Sequence, residues 1–324
     1  MNKIRSRYAS TAGSWPAVLA FGCLLVFVSC NEDEVVEPRE TLAPGVYDVS
    51  VSVDTMTRWF KLIVPSKYDG AESRPLLLCF HGGNLSMGFM FNNRKDLIQR
   101  CEEENWILVF PNGANFTNNR GAATWNAVHC CGQAWRFGVN DTGFVRKIVD
   151  TLSIVLNIDE TRIYAMGGSN GGMLTQRLAA EMPDVFAAAA PNQSTIGGQV
   201  DSLSPVVTVH PTQPIPIVMI HGLNDRKVNY HGGKTLEGNR IDISFKESVL
   251  FWARNNRCDL GRADTTVVRG GKGKVWIVAY RNEDTGVEVQ AITIQNKGHG
   301  WPGLEESGFD GTNAMVDFLK RFSK

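Results

Sequence analysis

Six consecutive residues, Gly167-Gly168-Ser169-Asn170-Gly171-Gly172, set one serine hydroxyl between glycines two positions before and two after it. The preceding Arg162-Ile163-Tyr164-Ala165-Met166 is short, apolar and partly β-branched, so it reads as a buried strand. Met173 to Ala180 reads as a helix. A serine on a tight strand-to-helix turn is the arrangement of an exposed, activated nucleophile. The turn is sharp enough that a Cβ at Gly167 or Gly171 meets neighbouring backbone, and the serine itself is held in a strained conformation. The helix that follows puts its N-terminus beneath the hydroxyl and favours negative charge developing there.

A serine hydroxyl needs a base, and the base needs an acid to orient it. Four of the six histidines follow Ser169: His210, His221, His231 and His299. His210 falls in an irregular stretch. His221 precedes the strand-end aspartate Asp225 and is expected to pack. His231 follows Asp225 too closely to return over the site. His299 lies between glycines after the last strand, where a loop can present an imidazole, and is expected to be the base. Asp225 directly follows the buried strand Ile215–Ile220 and is the expected acid, whereas Asp184, Asp201, Asp242 and Asp264 read as surface charges or caps.

The elements that must position these groups alternate along the chain. Gly45–Val53 and Arg58–Val64 read as antiparallel edge strands. Pro75–Phe80 reads as a buried strand running into His81-Gly82-Gly83-Asn84. Glycine there lets a backbone N–H approach a substrate oxygen, and His81 is expected to support that loop rather than act as base. A helix near Asn92–Glu104, the strand Trp106–Phe110 and a helix from Asp141 capped by Asn140 follow. Between them, Pro111 to Asn140 is a long polar loop containing Trp125-Asn126 and Cys130-Cys131, and such loops usually carry function. Val185–Ala190 is the next expected strand, and 191–214 is irregular. A helix near Ser244–Asn256 opens on a capping-box spacing, Ser244 to Glu247. Strands Trp276–Arg281 and Val287–Gln295 and a closing helix near Gly311–Phe322 complete an α/β chain with a mostly parallel sheet covered on both faces.

Composition narrows the function classes. The chain has 324 residues, 43% apolar and 20% charged, enough for one large domain. Its 33 basic and 33 acidic residues cancel; Lys3, Arg5 and Arg7 fall in 1–29 with no acid, so the remainder is net −3 and lacks the basic footprint of a nucleic-acid binder. Residues 1–29 read as an export signal, with a basic start and an apolar stretch from Trp15 to Val28. Phe27-Val28-Ser29-Cys30 resembles the lipobox of bacterial lipoproteins, although phenylalanine replaces the usual leucine. Cys30 is the expected lipidated N-terminus, 30–44 a tether, and 45–324 the folded domain. The expected location is the outer membrane, through that lipid alone and possibly surface-exposed, or the exterior.

Taken together, the stretches Leu76–Gly83, Trp125-Asn126, Cys130-Cys131-Gly132, Val139–Phe144, Gly167–Gly172, His221–Asp225, Tyr230–Gly233, Trp252–Cys258 and Gly298–Gly303 resemble the secreted esterases that include polyhydroxybutyrate depolymerases and feruloyl and acetylxylan esterases. The resemblance covers most of residues 60–305. It implies an α/β-hydrolase fold, with Ser169 as nucleophile, Asp225 as acid and His299 as base. It further implies an oxyanion hole from the backbone N–H groups of Gly83 and Asn170, with Trp125 and Trp301 flanking the substrate. No cofactor is implied, and no metal site is read: the adjacent His129, Cys130 and Cys131 lack ligand spacing. The expected activity is hydrolysis of feruloyl or acetyl esters on plant polysaccharides. Polyhydroxyalkanoate oligomers are the alternative, and a serine peptidase or a non-catalytic glycan-binding lipoprotein are more distant ones. Beyond Cys23 and Cys30, an odd five cysteines remain, and Cys258 is expected to pair with Cys130 or Cys131.

Overall fold

The computed structural model describes residues 42–324 except 118, 119, 237 and 271, and before residue 42 only the short strands Lys3–Ser6 and Val18–Leu19. Cys30 and the rest of the expected signal and tether before residue 42 lie outside the described residues. Ten strands form the body of one sheet: β1 (Gly45–Val53), β2 (Met56–Val64), β3 (Arg74–Phe80), β4 (Ile107–Pro111), β5 (Ile158–Gly168), β6 (Ala188–Asn192), β7 (Ile217–Gly222), β8 (Asp264–Gly270), β9 (Gly273–Arg281) and β10 (Glu288–Ile294). Their order is β8-β9-β10-β7-β6-β5-β3-β4-β2-β1, with Lys3–Ser6 beyond β1. The six strands from β10 to β4 run parallel, and antiparallel pairs close both ends.

Strand β3 shows why the sheet needs cover on both faces. Alternate side chains point to opposite faces. Leu76, Leu78 and Phe80 enter one core layer, while Leu77 and Cys79 enter the other. The first layer is closed by α4 (Asp141–Val155), α5 (Asn170–Glu181) and α6 (Phe245–Asn255), through side chains such as Phe144, Leu174 and Trp252. The second is closed by α1 (Met87–Asn93), α2 (Lys95–Glu104) and α8 (Gly311–Leu319), through Met90, Leu97 and Val316. Two short helices, α3 (Gly132–Arg136) and α7 (Leu304–Ser307), sit in the loops above the sheet's carboxyl edge.

Both expected caps are present. Asn140 accepts from the Gly143 N–H at 2.9 Å, and Ser244 and Glu247 form the full capping box. The helix expected at Asn92–Glu104 is instead two, broken at Arg94, and the first begins earlier because Ser86 caps it through the Phe89 N–H. Strand β8 was not legible. It lies on the sheet's outer edge with its described side chains exposed, so it carries no inside–outside alternation. The irregular 191–214 stretch contributes Gly197–Gln199 and Val207–Thr208 to a small second sheet with Ile241–Asp242 and Gly233–Lys234. Among the described residues, no helix is long and apolar enough to cross a membrane.

The long loop 111–140 is fastened to the body by a buried ion pair. Arg58 from β2 donates to Asp141 Oδ1 at 2.7 Å, with 3% and 0% side-chain exposure, and lies over the Phe144 ring. The other carboxylate oxygen of Asp141 accepts the Asn126 N–H at 2.7 Å. Burial raises the Asp141 pKa against the opposing pull of Arg58. Removing one member of such a pair strands a charge in the interior, which costs about 3–5 kcal/mol. Asp141→Ala is therefore expected to lower the unfolding free energy by that amount in urea titrations, and Arg58→Met combined with Asp141→Leu to recover much of it. Equal stability of Asp141→Ala and the native chain would remove the fastening role.

Candidate active site

Strand β5 ends at Gly168 and α5 begins at Asn170, leaving Ser169 alone at the turn with φ 57° and ψ −123°. A non-glycine residue held there costs of order 1–3 kcal/mol, so the surroundings must hold it in place. They do so through backbone: the Ser169 N–H donates to Asn192 O at 2.9 Å, and its carbonyl receives the Met173 N–H at 2.9 Å. Gly171 packs so closely on the Phe80 and His81 carbonyls that a Cβ has no room, and Gly167 is equally confined against Gly171 and Thr175. The elbow thus depends on contact between the first turn of α5 and the end of β3.

Asp225 and His299 arrive on neighbouring loops after β7 and β10, and backbone hydrogen bonds join the two. Leu223 N–H donates to Ile294 O at 2.9 Å, and Asn224 N–H to Lys297 O at 3.0 Å. His299 Nδ1 lies 2.8 Å from Asp225 Oδ2, and His299 Nε2 lies 3.1 Å from Ser169 Oγ. A carboxylate only accepts, so the facing Nδ1 carries the proton and Nε2 is left free to receive one from the serine. Asp225 is 1% exposed. Its second oxygen accepts the Lys227 and Val228 N–H groups at 2.9 and 3.1 Å. Burial pushes its pKa up, but hydrogen bonds and charge from His221 and His299 outweigh this and hold the carboxyl well below the usual range. The carboxylate therefore stays ionised at neutral pH.

The loop after β3 is braced by His81 and Trp125. His81 Nδ1 donates to Gly82 O at 2.7 Å, while Nε2 accepts the Gly113 N–H at 2.9 Å, so the ring is neutral and both nitrogens are used. Burial drives the His81 pKa down to about 4. The expected substrate contact of Trp125 is corrected: the residue has 0% exposure and lies under the loop, with its indole N–H donating to His81 O at 2.8 Å. Trp301, by contrast, borders the cleft, with its indole N–H held by Thr312 Oγ1 at 2.8 Å and the Arg94 guanidinium 5.2 Å from its ring centroid.

Gly83 and Asn170 face one another at the cleft, about 3.6 Å separating the Asn170 Cβ from the place a Cβ on Gly83 would take. The Asn170 carboxamide is committed to the Trp125 backbone, accepting its N–H at 2.8 Å and donating to its carbonyl at 3.1 Å. Its main-chain N–H is the first of α5. The cleft has a volume of about 620 Å³, and Leu85, Phe89, Met90, Cys131 and Arg240 line it beyond the groups already named. Cys131 is joined to Cys130 and Cys258 is a buried free thiol, so the expected staple from Cys258 to the long loop is absent. Arg240 performs that fastening: it donates to Asp242 through Nε at 2.8 Å and to Cys130 Sγ at 2.9 Å, while His129 Nε2 lies 3.0 Å from Asp242. Sequence reasoning also passed over Gln193, which holds the His299 loop by accepting the Gly300 N–H at 2.7 Å.

These features define an α/β-hydrolase fold with a strand-end serine, histidine and aspartate at the sheet's carboxyl edge. The model of the prolyl oligopeptidase family matches residues 145–197, the span running from α4 through the elbow and β6. Over 268 residues the chain is 28% identical to feruloyl esterase B of Piromyces equi, covering 81% of this chain and 45% of that one. Over 160 residues it is 30% identical to a bifunctional acetylxylan esterase/xylanase of Neocallimastix patriciarum, covering 49% of this chain and 20% of that one. The matches thus span less than half the length of either relative. An acetyl xylan esterase from Aspergillus awamori shares the fold, with a TM-score of 0.55 at 14% identity over 81% of this chain and 94% of that one.

The neutral, buried state of His81 carries a pH signature. In the unfolded chain the residue takes up a proton near its ordinary value of 6.5, and in the folded chain only near 4. Stability from this residue is complete above pH 6.5 and is lost as pH falls toward 4, by up to about 3 kcal/mol. His81→Gln, which keeps an acceptor for Gly113, is expected to flatten the decline in unfolding free energy between those pH values. Parallel declines in both proteins would contradict this.

Proposed function

We propose that this chain is a serine esterase that hydrolyses carboxylic esters. The observation that carries the reading is the continuous relay from Ser169 Oγ through His299 to the buried Asp225, at 3.1 and 2.8 Å. In this reading His299 Nε2 takes the Ser169 proton as Oγ attacks the ester carbonyl. The oxyanion that forms is received by the N–H groups of Gly83 and Asn170, aided by the N-terminus of α5. His299 then returns the proton to the leaving alcohol. A water molecule deprotonated by the same nitrogen cleaves the acyl-enzyme and frees the acid. Asp225 holds the ring and stabilises the imidazolium without itself taking the proton.

The substrates proposed are feruloyl or acetyl esters on plant polysaccharides. The names of the two relatives support this, as does a cleft bordered by Trp301 and Phe89 beside polar groups. A peptidase reading draws on the family match at 145–197, which runs from α4 through the elbow to β6. The exported, lipid-anchored location is proposed from the N-terminal sequence, with Cys30 as the lipidated residue.

Ser169→Ala is expected to lower kcat on methyl ferulate or p-nitrophenyl acetate by several orders of magnitude with an unchanged thermal transition. Asp225→Asn is expected to lower it roughly 10⁴-fold. A panel of methyl ferulate, acetylated xylan and hydroxybutyrate oligomers then ranks the acyl groups, and turnover confined to the oligomers overturns the polysaccharide assignment. Undiminished turnover by Ser169→Ala overturns the esterase mechanism.

A further inference from the structure

The end of β7 brings a second histidine to the acid of the relay. His221 Nε2 lies 2.9 Å from Val228 O and 3.2 Å from Asp225 Oδ2, the oxygen that also faces His299 Nδ1. A carbonyl oxygen only accepts, so the proton of His221 resides on Nε2 and is shared between Val228 O and the carboxylate. The other ring nitrogen, Nδ1, is buried and has no hydrogen-bond partner among the described residues. The ring is 1% exposed and packs edge-on against Phe245 and Tyr230, with centroids 5.1 and 5.6 Å away.

That environment decides between packing and positioning. An apolar side chain would fill the space between Phe245 and Tyr230 without stranding a polar nitrogen, and a buried acceptor left without a partner is destabilising. Packing alone therefore disfavours histidine here. What histidine adds is one N–H that joins the Asp225–Val228 turn to the end of β7. Val228 meanwhile donates its own N–H to the other oxygen of Asp225, so the turn is tied at both ends.

We propose that His221 is a positioning residue of the relay: its Nε2–H fixes the Asp225 carboxylate and moderates the negative charge that Asp225 presents to His299. The proposal rests on the esterase reading of Ser169, His299 and Asp225. With three side-chain and backbone donors besides His299, the carboxylate is oriented before the substrate arrives, and the imidazole meets it in one geometry. Without the His221 donor, the carboxylate turns more freely and holds a proton on His299 more strongly. Titratable groups around this assembly include Tyr230, whose hydroxyl lies 3.0 Å from Thr293 Oγ1, Lys227, whose backbone N–H donates to Asp225, and Lys297, paired with Glu306 at 2.7 Å.

The test compares His221→Leu, which keeps bulk and removes the donor, with His221→Gln, which places an amide N–H near the same point. Kinetics on methyl ferulate or p-nitrophenyl acetate are expected to show kcat lowered roughly 10- to 100-fold in His221→Leu with KM little changed. The acid limb of its kcat/KM profile is expected to move to higher pH, and His221→Gln to restore most of the rate and the position of that limb. A His221→Leu protein with native kcat and an unmoved limb overturns the inference while the native enzyme's turnover upholds the esterase reading. So does a loss that His221→Gln fails to repair. If His221→Leu does not fold, His221→Asn, whose amide is too short to reach Asp225, takes its place against His221→Gln with the same expectations. A native chain that turns over neither ester overturns both readings.

Discussion

A serine held at φ 57° does not stay there by preference, and much of this fold can be understood as what keeps it there. The strain is met by main-chain contact rather than by side chains: α5 approaches the end of β3 at Gly171, and the Ser169 N–H is held by the end of β6. That contact needs β3, β5 and β6 side by side and parallel, which in turn needs helices on both faces to bury Leu76, Leu77, Leu78 and Cys79. The glycines mark where backbone meets backbone. The sheet supplies the rigidity that lets one residue remain in an unfavourable conformation.

Charge is handled by the same economy of position. Asp141 and Asp225 are both fully buried, yet their surroundings drive them in opposite directions. Asp141 faces one arginine, and burial dominates; its work is to hold the long loop against β2 and α4. Asp225 is surrounded by donors from two loops and the end of β7, so it remains an anion, buried behind His299. His81 shows the third outcome, a ring kept neutral because one nitrogen donates and the other accepts. The hydrogen-bond partners around each residue decide which of these roles it takes.

Much of this was legible in the sequence because it rests on short-range rules. The elbow, the strand-end placement of Asp225, the glycine-flanked His299 and both helix caps follow from turn chemistry and period. The less legible parts depend on contacts distant in sequence. Trp125 reads as an aromatic on a polar loop that flanks the substrate, yet a hydrogen bond to a carbonyl 44 residues earlier draws it under that loop. His221 reads as a packed strand residue because its reach to Asp225 depends on how the turn 222–228 folds back. Cys258 carries no mark of which thiols face it, and Arg240 provides the fastening that a disulfide was expected to supply. Strand β8 belongs to the sheet by hydrogen bonding alone and has no burial pattern to reveal it.

The proposed chemistry requires that His299 activate Ser169. Labelling the native protein with a fluorophosphonate, which forms a covalent bond only with an activated serine, and mapping the adduct by peptide mass spectrometry tests it most directly. One adduct is expected, on the peptide bearing Ser169, with labelling lost or greatly slowed in His299→Ala. An adduct on another serine, or undiminished labelling of Ser169 without His299, would contradict it.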